Sequence, residues 1–225
     1  MRLLKSIALF VAIVVVLLAV PLLFIERDTK SPVLPTEGLP WQIEVRPDGL
    51  TRVFGLVPGN STLADARERF GPDAQVALVI APGESGSVEA FYETVTAGIV
   101  SGKLILTLDT TVEQREAMLK RAVKAEFMES TTRRIELADA DLHEMNKAQV
   151  MAIAFIPSAN LTEEIVQQRF GPPAERIRAG EQVVHFLYPD KGLDLRLDAK
   201  GKEVLQYVAP HNFARLRDPL LAVVK

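Results

Sequence analysis

Cysteine is absent from the 225 residues, which removes disulfides, thiolate nucleophiles and cysteine-ligated zinc or iron–sulfur sites. It also removes any N-terminal cysteine that could carry a lipid. A domain large enough to bury its own core needs no disulfides, so the absence is compatible with export. Basic clusters are absent too. The formal net charge is −3, and without Arg2 and Lys5 the chain has 24 basic against 29 acidic residues. Phosphate neutralisation requires grouped Lys and Arg, so nucleic acid is not expected as a partner. Histidine is scarce: His143, His185 and His211 fall in three separate segments, none with metal-ligand spacing. No phosphate-binding glycine loop occurs, and in "GESGS" Ser87 stands where a nucleophile elbow needs its last glycine. Glu89 and Glu93 share one face of a strand, an arrangement more often solvated than catalytic. No catalytic residue, cofactor or metal site is expected.

What is present begins with an apolar run. Arg2 and Lys5 precede uncharged residues from Ser6 to Ile25. A membrane-crossing helix needs about 20 apolar residues, whereas a signal-peptide core has about 7 to 15. Residues 7–25 are therefore expected to form an uncleaved signal anchor in the inner membrane, with a long cleaved signal peptide as the alternative. The preceding basic residues favour a cytoplasmic N-terminus and a periplasmic remainder. Residues 26–40, with Pro32, Pro35 and Pro40, read as an extended tether.

The chain then repeats itself. "NSTLADARERFGPDA", residues 60–74, returns as "NLTEEIVQQRFGPPA", residues 160–174. Each copy predicts a short helix with Thr62 or Thr162 near its start, an apolar face, and a Gly-Pro stop at 71–72 or 171–172. Thr62 with Asp65 has capping-box spacing. The sequon patterns at Asn60 and Asn160 coincide with these starts, which favours capping over glycosylation. A β-prone run precedes each helix, at residues 51–58 and 150–157. Short strands follow each, most clearly residues 182–188, 193–198 and 203–208, with period-2 alternation in "LDLRLD". In the first copy the strands are expected at 76–81, 87–95 and 103–109. Val112, Leu119, Val123 and Phe127 then make a helical stripe, and residues 133–149 predict a strand and a short helix. The expected class is α+β: a transmembrane helix, then two tandem helix-plus-antiparallel-meander modules, residues 41–130 and 131–225.

"LVPGNSTLADARERFGP" resembles the SmpA/OmlA family of outer-membrane assembly lipoproteins, and the tandem arrangement is similar to that of β-lactamase inhibitory proteins. The resemblance covers residues 51–109 and 150–208 and implies a protein-binding module in an envelope setting. The lipidated cysteine of the lipoproteins is missing here. The implied contact surface is the solvent-facing side of the sheets, with Phe91 in the first copy and His185 and Arg196 in the second. Arg69 and Arg169 join them, because capping and packing do not by themselves require arginine at those positions. The expected function is a non-catalytic envelope assembly, scaffolding or inhibitory protein with a protein partner. An envelope hydrolase or a small-ligand or lipid-binding protein is the alternative. The apolar tail "DPLLAVVK" could pack on the second copy or meet the membrane.

Overall fold

The computed structural model describes residues 38–128 and 131–223. The expected anchor, residues 7–25, and residues 26–37 of the expected tether lie outside them. Among the described residues no helix is long and apolar enough to cross a membrane, so the transmembrane expectation has no support in the fold.

Both repeated helices form where local chemistry dictates. Helix α1, Leu63–Phe70, is capped by Thr62, which accepts from the Asp65 amide while the Asp65 carboxylate accepts from the Thr62 amide at 2.7 Å, a complete capping box. Gly71 ends it at φ 97, a conformation that glycine adopts without a Cβ penalty. The remaining helices are α2, Val112–Lys120; α3, Asp139–Met145; α4, Glu163–Phe170; and α5, Ala214–Val223. Helix α4 repeats α1, with Thr162 as cap and Gly171 as stop.

Two short strands, β1 (Glu44–Val45) and β2 (Thr51–Arg52), pair with each other. The other ten are β3 (Gln75–Ile80), β4 (Ser87–Ala97), β5 (Val100–Leu108), β6 (Lys124–Phe127), β7 (Arg133–Glu136), β8 (Val150–Pro157), β9 (Glu175–Ala179), β10 (Val183–Tyr188), β11 (Leu193–Asp198) and β12 (Val204–Val208). They form one antiparallel sheet in the order β6-β7-β3-β4-β5-β8-β12-β11-β10-β9.

This corrects the expected architecture. In place of an α+β chain of two tandem modules behind a transmembrane helix, there is a single, mostly β structure: ten antiparallel strands with five short helices among the described residues. The expected module boundary at 130/131 falls inside the β6–β7 hairpin, whose β7 pairs with β3. Strand β8, expected to open the second copy, pairs with β5 of the first and joins the halves through β12. The expected first-copy strand at 51–58 is strand only at Thr51–Arg52. The chain then turns back at Phe54 and Gly55, both at positive φ. The expected stripe also fails. Val112, Leu119, Val123 and Phe127 are exposed, Phe127 at 77%, whereas Met118 is buried. The helix ends at Lys120, and Lys124–Phe127 instead gives the sheet its edge hairpin.

The repeat survives in a different form. Tyr92, Leu104 and Phe155 lie side by side across β4, β5 and β8. Tyr188, Leu193 and Tyr207 do the same across β10, β11 and β12. At the seam Phe155 faces Leu205, Ile153 faces Tyr207, and Ala154 faces Gln206 between them. A two-fold axis through the Ala154–Gln206 pair, perpendicular to the sheet, therefore exchanges the two rows. Each copy is one helix and four strands, and the first carries residues 109–149 as an insertion between its third and fourth strands.

Pleating sends alternate side chains to opposite faces. Leu78, Val88, Leu104, Leu106, Ile153, Phe155, Phe186, Leu195 and Tyr207 form the buried core on the face that also packs Leu63, Ala66, Val166 and Phe170 of α1 and α4. Residues 38–61 run over the seam on this helix face. Phe54 packs on the symmetry-related pair Phe155 and Tyr207, with ring centroids 5.1 and 5.5 Å away.

Candidate functional site

The open face of the sheet, opposite α1 and α4, collects three of the sequence candidates. Phe91 lies in a lateral row with Ile105, Ala154 and Gln206. All four are half-buried. Lys103 reaches over the Phe91 ring at 5.8 Å and pairs with Glu93 at 2.8 Å. Glu89, one step along the same face, accepts from Ser87 Oγ at 2.9 Å. Burial raises its carboxyl above the ordinary range, and the Ser87 hydrogen bond opposes the rise.

Arg196 lies on the same face and is half-buried, with Nη2 3.0 Å from Asp198. Four strand spacings of about 4.8 Å separate β4 from β11, so Phe91 and Arg196 stand about 19 Å apart. They can belong to one surface but not to one contact. His185 is only 6% exposed. Its Nδ1 meets the buried Asp194 at 2.9 Å, diagonally across β10 and β11. The reason is α5, which the sequence left undecided between the second copy and a membrane. Its Leu216, Leu220 and Leu221 pack with Phe213 on Ile177, Leu187 and Val208. Ile177 is the cross-strand neighbour of His185. The open face is thus covered over β9 and β10 and as far as Ala152 of β8, and it is half-exposed along Phe91, Ile105 and Ala154.

Arg69 and Arg169 sit at the ends of the two helices on the other face, and both engage residues 38–55. Arg69 Nε donates to the Phe54 carbonyl at 3.4 Å, with its guanidinium against Gly38 and Gly55. Arg169 stacks on Trp41 at 4.8 Å, while Trp41 meets Phe170 edge-on at 6.3 Å. The two arginines hold the segment that covers the seam.

A pair missed in the sequence is Tyr92 and Tyr188. Tyr188 donates to the carbonyl of Gly171 at 2.9 Å and Tyr92 to that of Gly71 at 3.3 Å. Each ring also packs on the phenylalanine that ends its helix, Phe170 or Phe70. The tyrosines are 96 positions apart while the helices are 100 apart, so a fixed-period comparison does not align them.

The clefts are shallow. One of about 610 Å³ lies beside Trp41, Arg52 and Arg69, and another of about 410 Å³ lies at the start of α4. Among the described residues no three His, Asp or Glu side chains are placed to share a metal ion. Compared with protein-family models, curated proteins and solved structures, the chain matches none.

Proposed function

We propose that this is a non-catalytic binding protein of the cell envelope that holds a protein partner against the uncovered part of its sheet. The observation that carries the reading is the row Phe91–Ile105–Ala154–Gln206. Phe91, Ile105 and Ala154 set half-exposed apolar side chains next to one another across the central strands, Gln206 ends the row, and the charges of Glu89, Glu93, Lys103 and Arg196 frame it. An apolar strip with a charged rim is the usual anatomy of a protein contact. The resemblance of the repeat to SmpA/OmlA modules supports an assembly, scaffolding or inhibitory role. The apolar run at residues 7–25 supports export from the cytoplasm.

A photo-crosslinking residue at position 105, introduced in intact cells, should capture a discrete adduct that the same residue at position 120 on α2 does not. Phe91→Asp should abolish it while leaving the far-ultraviolet dichroism unchanged. Equal capture from both positions, or capture indifferent to Phe91→Asp, would sink the reading.

A further inference from the structure

The two copies differ at the place where their helices begin. In the first copy, the end of the insertion lies across the start of α1. The Leu63 amide donates to the Ala148 carbonyl at 3.0 Å and the Ala64 amide to the Asn146 carbonyl at 2.9 Å. The Val150 amide donates to the Ser61 carbonyl at 2.7 Å, and Arg67 reaches the Asn146 side chain. The turn that ends α3 and leads into β8 thus satisfies N–H groups that the first turn of a helix leaves without intrahelical partners.

In the second copy the corresponding residues, Asn160 to Glu163, line the cleft of about 410 Å³. Among the described residues no backbone carbonyl from another segment accepts from the Glu163 or Glu164 amides. Inside the cleft stands Glu203. It shares strand parity with Leu205 and Tyr207, so its side chain points to the helix face. It is 6% exposed, and its Oε2 is buried without a hydrogen-bond partner. A buried carboxylate oxygen left unpaired is costly, and a charged donor brought to it recovers that cost.

The lining fixes the chemistry of that donor. Glu163, Asp198 and Glu203 are acidic, and Asn160, Thr162 and Gln182 are neutral and polar. Among the described residues no basic side chain lines the cleft; nearby, Arg176 pairs with Glu163 at 2.7 Å, and Arg196, which shares the open-face parity of Asp194, pairs through Nη2 with Asp198 at 3.0 Å while its Nε is buried without a partner. Asp198 also accepts from the Lys200 and Gly201 amides at 3.0 Å each. Of the acidic side chains that line the cleft, Glu203 is the one with an oxygen buried without a partner.

We propose that this cleft docks a short turn-and-strand segment of a partner protein that carries a lysine or arginine. Its backbone lies across the start of α4 as Asn146–Val150 lies across α1, and its carbonyls accept from the Glu163 amide and, in place of the Glu164 carboxylate that now turns back on it, from the Glu164 amide. Its basic side chain enters the cleft and donates to Glu203 Oε2. The site is on the helix face and does not depend on the sheet-face contact proposed above.

The test is calorimetric titration of the full-length chain with acetyl-Ala-Ala-Lys-Ala-Ala-amide, its arginine and norleucine counterparts, and n-butylammonium. The lysine and arginine peptides should bind, and the norleucine peptide should bind at least about tenfold more weakly, the value of one hydrogen bond to a charged group. Glu203→Gln should remove that discrimination. Gln182→Arg, at an exposed position on the rim, should weaken the basic peptides about tenfold by placing a competing cation there without touching the core. Phe91→Asp should change nothing, which separates this site from the sheet face. Equal binding of the lysine and norleucine peptides, or indifference to both Glu203→Gln and Gln182→Arg, overturns the proposal. Binding of n-butylammonium as tight as that of the lysine peptide also overturns it, because the backbone would then contribute nothing.

Discussion

Tyr188 reaches back from β10 to donate its hydroxyl proton to the carbonyl of Gly171, 2.9 Å away, at the stop of the preceding helix. The bond ties the second strand of the copy to the end of its helix, and Tyr92 with Gly71 is its looser counterpart at 3.3 Å. Removing a hydroxyl that satisfies a carbonyl costs about 1 kcal/mol. Tyr188→Phe should therefore lower the urea-unfolding free energy by about 1 kcal/mol, and Tyr92→Phe by less. A larger loss for Tyr92→Phe would contradict the ranking.

Alkaline titration probes the same residues. The chain has three tyrosines, and burial holds Tyr92, Tyr188 and Tyr207 all above the ordinary value of 10, Tyr188 at about 12. A phenol whose folded pKa is raised contributes stability that is fully present below about pH 10 and is lost as pH climbs towards 12. Absorbance at 295 nm should show no tyrosinate step near pH 10. Ionisation should instead coincide with the loss of dichroism.

Phe54 occupies the left-handed region at φ 56, which is strained for an aromatic residue, while its ring fills the space over the seam. Phe54→Ala should cost about 3 to 5 kcal/mol, the range for truncating a buried phenylalanine. Phe54→Leu should recover part of that loss in thermal unfolding.

The single tryptophan, Trp41, reports on the segment that Arg169 holds. Arg169→Ala should shift its emission to longer wavelength and raise its quenching by acrylamide. The accompanying stability loss should be only about 0.5 to 1 kcal/mol, since the stacking contact is partly exposed. Arg169→Lys should restore little, because ammonium does not stack as the planar guanidinium does.

The buried His185–Asp194 pair serves the fold rather than the surface. Asp194→Ala strands the imidazole and should cost about 3 to 5 kcal/mol, whereas replacing both by leucine should cost far less. Thermal unfolding of His185→Leu, Asp194→Leu and the double leucine variant would expose any failure of that non-additivity.

Local features were legible because local residues decide them. Thr62, Thr162, Gly71 and Gly171 cap and stop the helices as their positions indicate, and the second meander lies within a residue or two of where alternation places it. Long-range pairing was not legible. Strand β8 reads as β-prone and precedes α4, yet only its pairing with β5 across a forty-residue insertion reveals that it completes the first copy. Val112, Leu119, Val123 and Phe127 fit a helical period, but the demand for an edge hairpin beside β3 overrides it. Among the site residues, alternation alone puts Phe91, His185 and Arg196 on one face. That His185 is covered depends on where α5 lands, which no local pattern specifies. Glu203 opens the expected strand at 203–208, and its missing partner is visible only in three dimensions.

The seam at Ala154–Gln206 bears on how the two halves depend on each other. A two-fold contact between β8 and β12 is the kind of isologous interface by which two identical single-copy chains would pair. Joined end to end, such a pair no longer depends on protein concentration for its stability. Each half is then free to change alone. The first half carries a strap across its helix start and an extra edge hairpin. The second has an open helix start and a covering helix on the other face. A strictly symmetric pair would present two equivalent mouths, whereas in this chain one is closed and one stands open for a guest.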